Sequence, residues 1–393
     1  MNRDRAIMPI LFGILFLVMM GFGMIIPIMP YYAKDLGGER WWGVIVATYS
    51  AMQFFFAPFW GHMSDRIGRK PVIMLGLAGY ALSFVLNGLA QSVAMLFIAR
   101  TLAGILSSAT LPTTMAVVAD ITRPEERARR MGLLGAAMGL GMIFGPGIGG
   151  FLRAASNLHF PFFFAAGLAL INLAFVFAML PETRKEGGPA RPHQVLGNFQ
   201  GALAGHLRPL YLTTFVLTFA TAGLETTFAY LLADRLHLAT AELQMAEVFV
   251  AMGLITVLVQ GGLIGPLTRR FGEERVMQAG LLASAGGFAA IIATHSLTGA
   301  IVYAGIYGVG TALVRPSVTA LISRRATVGQ GVAIGSMDSF DSLGRIAGPV
   351  LANWSYHAIS SAAPYVIGAL VNLGAMGYYA LQQLRAAGPQ LEN

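Results

Sequence analysis

Long apolar stretches broken by short polar interruptions make up most of this chain. Residues 41–64 contain no Asp, Glu, Lys or Arg, and neither do residues 71–99. A helix needs about 20 apolar residues to cross a bilayer, so runs of this length read as membrane spans. That window predicts twelve helices, near 7–31, 42–63, 71–90, 93–119, 131–152, 159–180, 209–233, 244–267, 275–295, 298–322, 331–355 and 362–384. The uncharged stretch 276–314 has to hold one reversal, expected near His295–Thr298. Between the sixth and seventh spans the pattern changes, with Glu182, Arg184, Lys185, Glu186, Arg191 and Arg208 among paired glycines and prolines. The expected organisation is an N-terminal six-helix bundle (1–180), a cytoplasmic linker (181–208) and a C-terminal six-helix bundle (209–393).

Composition supports an all-α integral membrane protein. The 393 residues are 56% hydrophobic and 11% charged, with a mean hydropathy of +0.66, whereas a soluble domain carries about 25% charged residues. Cysteine is absent, which excludes disulfide and thiol chemistry. The net charge of +8 does not point to nucleic acid, because 19 of the 26 Lys and Arg fall on one side of the predicted spans. This asymmetry marks that side as cytoplasmic and puts both termini there. The apolar run Ala6–Ala33 reads as a retained first helix with no cleaved segment. No nucleotide-binding loop, metal-ligand cluster or nucleophile–base signature is present, so neither an enzyme nor a cofactor is expected.

The interruption Gly61-His62-Met63-Ser64-Asp65-Arg66-Ile67-Gly68-Arg69-Lys70 predicts a tight turn, with Gly61 and Gly68 supplying positive φ. It reads either as a basic turn obeying the charge rule or as a mechanical joint. The two halves look related: Gly145-Pro146 and Gly348-Pro349 are 203 residues apart, and Gly61 and Gly265 are 204 apart. Similar offsets suggest an internal duplication.

The decapeptide resembles the G-x-x-x-D-R-x-G-R-K signature of the major facilitator superfamily, matching it at every defined position. Gly141-x-x-x-Gly145-Pro146-Gly147-Ile148-Gly149-Gly150 is similar to the fifth-span motif of its exporters, and Arg100-Thr-Leu-Ala-Gly104 to the fourth-span motif of its proton-coupled members. The closest resemblance is to twelve-span drug:proton antiporters of the bacterial multidrug and quinolone efflux type. It implies two pseudo-symmetric six-helix bundles around a cavity that opens alternately to either side. It also implies a proton-coupling acid at Glu225, paired with an acid in the tenth span just before an Arg-Pro step. Here Arg315-Pro316 is present, but Ala312 stands where the acid is expected.

Ionisable residues inside a membrane cost about 2.5–3.5 kcal/mol each on insertion scales, so they form the functional short list. They are Arg100, Glu225, Arg315, Asp338, Asp341 and Arg345. Glu225 is a candidate proton carrier, or alternatively a carboxyl hydrogen-bonded within its bundle or at the outer water. Asp338 and Asp341 share a helix face with Arg345, and two such acids beside one arginine titrate as a set. The alternative is a structural Asp341–Arg345 pair with a solvated Asp338. Arg100 is either a proton-transfer residue or a donor to helix carbonyls.

Asp120 is the expected partner of the Arg66/Arg69/Lys70 cluster, and with Gly61, Asp65 and Gly68 these form a cytoplasmic gate. Gly141, Gly145, Pro146, Gly149, Gly348 and Pro349 are candidate packing and hinge positions. Met24, Gln53, Phe54, Met138, Phe219, Phe228, Tyr230 and Arg315 are candidate linings of a soft substrate cavity. The leading expectation is export of lipophilic, cationic small molecules against protons by a monomer in a bacterial inner membrane. The alternatives are an exporter of a polar metabolite, sugar or siderophore, a lipid flippase, and a non-transporting membrane receptor.

Overall fold

A computed structural model describes residues 3–122, 124–183, 205–236, 241–327 and 330–387, and these contain helices and no strand. The helices are α1 (Arg3–Ile25), α2 (Met29–Asp35), α3 (Trp42–Ile67), α4 (Arg69–Gly88), α5 (Val93–Ser107), α6 (Thr110–Ile121), α7 (Pro124–Ala155) and α8 (Phe160–Met179). They continue as α9 (Arg208–Leu236), α10 (Ala241–Leu258), α11 (Ile264–Phe271), α12 (Glu273–Ile291), α13 (Leu297–Arg325), α14 (Gln330–Ala358) and α15 (Ala363–Ala387). Nine helical segments among the described residues are long and apolar enough to cross a membrane. The chain divides into two compact units, Met1–His193 with Thr240–Val250, and Gln194–Ala239 with Ala251–Asn393. Most of the expected linker, residues 184–204, lies outside the described residues.

Three of the expected spans are interrupted, each beside a proline. The first ends at Ile25, and α2 begins beyond a turn that holds Pro27. The fourth breaks at Ser108–Ala109, because Pro112 has no N–H to return to the Ser108 carbonyl. The eighth widens into a π turn over Val259–Leu263, since Pro266 cannot donate to Gly262.

The decapeptide is not an open loop. Helix α3 runs through Gly61 to Ile67 and α4 starts at Arg69, so Gly68 alone makes the turn. Gly61 is helical, with nothing within 4 Å of where a Cβ would lie, so only Gly68 (φ 107°) meets the positive-φ expectation. Gly265 is likewise inside α11, and Gly272 (φ 81°) makes the matching turn. The duplication is therefore carried by Gly68 and Gly272, which are 204 residues apart. Two N-caps share that offset: the Ser92 hydroxyl accepts from Met95 N at 3.3 Å, and the Ser296 hydroxyl from Gly299 N at 3.1 Å.

Packing follows one plan within each unit. In the first, α1 lies against α7 and α8, and α4 against α8 and α5. In the second, α9 lies against α14 and α15, and α12 against α15 and α13. Glycines set the tightest seams. A Cβ on Gly145 of α7 would lie 2.6 Å from the Met20 carbonyl oxygen of α1, and one on Gly344 of α14 would lie 2.7 Å from the Phe215 oxygen of α9. Gly141 and Gly149 meet the Phe16–Met20 stretch and Met24, while Gly348 meets Phe219. Pro146 and Pro349 lie inside unbroken helices.

Candidate functional site

In the second unit, α9, α13 and α14 bring five ionisable side chains together. Asp341 is the centre. Its Oδ1 accepts a hydrogen bond from the Thr218 hydroxyl, and its Oδ2 lies 3.5 Å from Arg315 Nη2 and 3.4 Å from Arg345 Nε. The Asp341 side chain is 14% exposed, against 55% and 44% for the side chains of Arg315 and Arg345, so the acid is the buried member of the set. Asp338, one turn earlier on α14, lies in the field of Asp341 and both arginines. Glu225 sits two turns beyond Thr218 on the same face of α9, in the field of Arg345 and close enough for its own charge to act on Tyr307. The Tyr307 and Thr221 hydroxyls are 2.5 Å apart. A small void bounded by Thr214, Leu217, Arg315, Thr319, Met337 and Asp341 adjoins the cluster.

Three carboxyls face two guanidiniums that stay charged at any working pH. With every acid ionised the set carries one excess negative charge, which one proton or one monovalent cation would neutralise. Ala312, at the place of the expected tenth-span acid, is buried among Val259, Val276 and Leu313. The acids next to Arg315 come from α14 instead.

In the first unit the Gly68 turn is held by charge. Arg69 Nη1 lies 2.6 Å from Asp65 Oδ1, and Arg69 Nε lies 2.9 Å from Asp120 Oδ2 at the end of α6. The Arg69 guanidinium also donates to the Ser64 hydroxyl at 2.6 Å. Glu182 accepts from the backbone N–H groups of Arg69 and Lys70 (2.9 and 3.1 Å), closing the amino-terminal end of α4. Lys70 Nζ donates to the Phe177 carbonyl at 2.7 Å. Arg66 is exposed. Sequence reasoning missed Glu182, although it is the first acid after the sixth apolar run. It also missed Thr218 and Tyr307, whose hydroxyls carry no signal until three helices are packed together.

The sequence profile of the Major Facilitator Superfamily matches residues 11–263 and 210–390. The chain belongs to the major facilitator superfamily. Among similar members, Multidrug resistance protein 2 of Bacillus subtilis is 34% identical, covering 89% of this chain and 88% of that one. Tetracycline resistance protein, class C, of Escherichia coli is 30% identical, covering 95% and 96%. The human organic anion transporter MFSD10 (TETRAN) has a structure that superposes with a TM-score of 0.70 at 25% identity, covering 96% of this chain and 99% of that one. As a superfamily member the protein is a multi-pass membrane transporter.

The remaining expected site residues of this superfamily member fall into distinct places. Arg100 is 7% exposed on α5, with its guanidinium 5.9 Å from the Trp42 ring and 5.8 Å from the Tyr49 ring. Its Nε has no hydrogen-bond partner, which does not fit a donor to helix carbonyls at that atom. Gln53 donates to the Tyr49 hydroxyl at 2.9 Å. Gln53, Phe54, Met138 and Phe219 are half-buried. Met24, Phe228 and Tyr230 are not linings of an open cavity, since each has no exposed surface. Met24 lies under Gly149, and Tyr230 packs on Tyr356 and His357.

Proposed function

We propose that this chain is a proton-coupled antiporter that exports lipophilic, cationic small molecules by alternating access. The observation that carries the reading is the Asp341-centred set, in which three carboxyls and two arginines share membrane-spanning helices of one unit. Protons bind Glu225 and the Asp338/Asp341 pair, and the charge they cancel is the charge that attracts a cationic cargo. Proton and cargo then compete for one excess negative charge, as antiport requires. One proton exchanged for one monovalent cation moves no net charge, so the pH difference drives the exchange, and each pH unit (about 1.4 kcal/mol) sustains a tenfold cargo gradient. Relatives named for multidrug and tetracycline resistance support a drug-like cargo.

In this reading residues 1–180 and 209–393 are the moving halves and 181–208 the linker. The glycine seams at Gly141, Gly145 and Gly348 act as hinges beside Pro146 and Pro349. Arg69 with Asp65 and Asp120 latches the cytoplasmic side, and Arg100 aids proton transfer. The protein works as a monomer in a bacterial cytoplasmic membrane, with both termini inside.

The test is proton release from purified protein in weak buffer on adding tetraphenylphosphonium. Wild type should release protons, and Glu225→Gln with Asp341→Asn should not; release of the same size from the double variant would sink the assignment. A second reading, an anionic cargo held by Arg315, is favoured by the exposure of that side chain (55%). Faster efflux of an anionic dye than of a cationic one of similar size would select it.

A further inference from the structure

At the end of the first unit away from Arg69, a cavity of about 390 Å³ lies between two helix connections. Its walls are Gly88–Gln91, at the end of α4, and Asn157, His159, Phe160 and Phe163, where α7 gives way to α8. No Lys, Arg, Asp or Glu lines it. Phe160 (42% exposed) and Phe163 (40%) continue onto the outward face of α8, an apolar span that is only one-third buried. A cavity open onto such a face and placed at helix ends lies where head groups meet acyl chains.

The polar groups of the cavity are His159, the carboxamides of Asn157 and Gln91, and the end of α4. His159 Nδ1 is 2.8 Å from the Gly88 carbonyl oxygen. That oxygen can only accept, so Nδ1 carries the proton and Nε2 is the ring nitrogen left to meet a ligand. Tyr32 fixes the ring further, meeting it edge-on at 5.4 Å while donating its hydroxyl to the Ala90 oxygen. Asn157 Oδ1 already accepts from the N–H groups of His159 and Phe160, both at 3.0 Å, so the start of α8 has little to offer an anion. Helix α4 ends at Gly88 and directs the negative end of its dipole into the cavity. The negative end of that dipole favours a cationic group, the carboxamides can donate to an anionic one, and the lack of formal charge disfavours a net-charged ligand.

We propose that this cavity binds one membrane lipid with a zwitterionic head bearing a primary ammonium. The ammonium donates to His159 Nε2 beneath the end of α4, and an acyl chain lies along Phe160 and Phe163. The site is independent of the coupling cluster and of the cargo, so it can hold or fail without affecting the proposed function.

The test is native mass spectrometry of the full chain with phosphatidylethanolamine or phosphatidylcholine of identical acyl chains. Phosphatidylcholine has the same net charge and no N–H donor. One hydrogen bond of about 1 kcal/mol predicts retention of a single phosphatidylethanolamine about fivefold over phosphatidylcholine. His159→Asn places an amide nitrogen where Nδ1 was, keeping the bond to Gly88 but removing Nε2. It should bring the two lipids to equal retention with an unchanged melting temperature. Gln91→Trp, which puts a bulky ring on the cavity wall, should lose both lipids. Equal retention in wild type, an unchanged ratio in His159→Asn, or undiminished lipid in Gln91→Trp would each overturn the site. Displacement of the lipid by tetraphenylphosphonium would overturn it in favour of a cargo pocket.

Discussion

The Gly68 turn and the Gly272 turn do the same job in the two units with opposite charges. Both glycines have backbone angles that side chains avoid, φ 107°, ψ 157° and φ 81°, ψ 155°. Each is followed by a charged residue tied to the end of the next span: Arg69 to Asp120 in the first unit, Glu273 to Arg324 (2.7 Å) in the second. Arg69 and Glu273 are 204 residues apart, as are Asp120 and Arg324, so the pair was kept while its polarity was reversed. What the duplication conserves is a strap between the start of one helix and the end of the next. The surroundings then diverge. The first strap is mostly buried (12% and 20% exposed) and gains Asp65 and Glu182, whereas the Arg324 end of the second is 68% exposed. A parallel Arg325–Glu274 pair backs the second strap, with Gln383 on Glu274 and Tyr379 on Arg325.

That contrast can be broken most forcefully at Arg69. Arg69→Glu would set a new carboxylate against Asp65 and Asp120, and a loss of about 3 kcal/mol is expected, read as a lower melting temperature in detergent. The double variant R69E/D120R should recover only part, because Asp65 remains beside the new acid. E273R/R324E in the second unit should recover nearly everything, since each single change there costs about 0.5 kcal/mol at so exposed a pair. Equal rescue in both units would mean that burial does not distinguish the straps.

Next in size, Gly68→Ala forces a side chain into a glycine-only region, at about 1–3 kcal/mol. Its Cβ would also lie 2.5 Å from a Glu182 oxygen, whereas a Cβ on Gly272 meets nothing within 4 Å. The melting temperature should therefore fall further for Gly68→Ala than for Gly272→Ala. Glu182→Gln removes the charge from an acceptor of two backbone N–H groups and should cost about 1 kcal/mol by the same measurement.

The smallest effect is one of pH. The N–H of its own backbone and the Arg324 guanidinium hold the Glu273 carboxyl below the ordinary carboxylate range. A depressed acid contributes stability above its unfolded pKa and loses it as pH falls through the folded value. The second strap should therefore loosen below the ordinary carboxylate range. Glu273→Gln should flatten that limb of a melting-temperature profile, and an unchanged limb would remove Glu273 as its source.

Much of the fold was legible in sequence because bilayer thickness imposes a length on apolar runs and a charge bias on their ends. The positions of Pro112 and Pro266 were legible too, but their consequences were not. Whether a missing N–H breaks a helix or widens it into a π turn depends on the neighbours that hold the chain. The decapeptide misled for a physical reason: polar residues beyond a bilayer need not leave the helix, and α3 carries His62–Ile67 as two further turns. At the cluster, the spacing of Asp338, Asp341 and Arg345 placed three groups on one face. The contributions of Thr218 on α9 and Arg315 on α13 arise from tertiary packing, and periodicity within one helix cannot reveal them. The burial of Met24, Phe228 and Tyr230 was not legible, because a Phe228 facing a cavity and a Phe228 sealed in a core have the same local sequence.

Arg100 also gives the protein an optical probe of its own. The guanidinium holds a permanent charge 5.9 Å from the Trp42 indole, and Trp42 is buried. A fixed charge shifts the excited-state energy of an indole, and the shift depends steeply on distance and angle. Three other tryptophans are present, and Trp41, Trp60 and Trp354 can be replaced by phenylalanine to leave Trp42 alone. Any step of the transport cycle that moves α5 relative to α3 would then register as a change in emission wavelength, without a label and in real time.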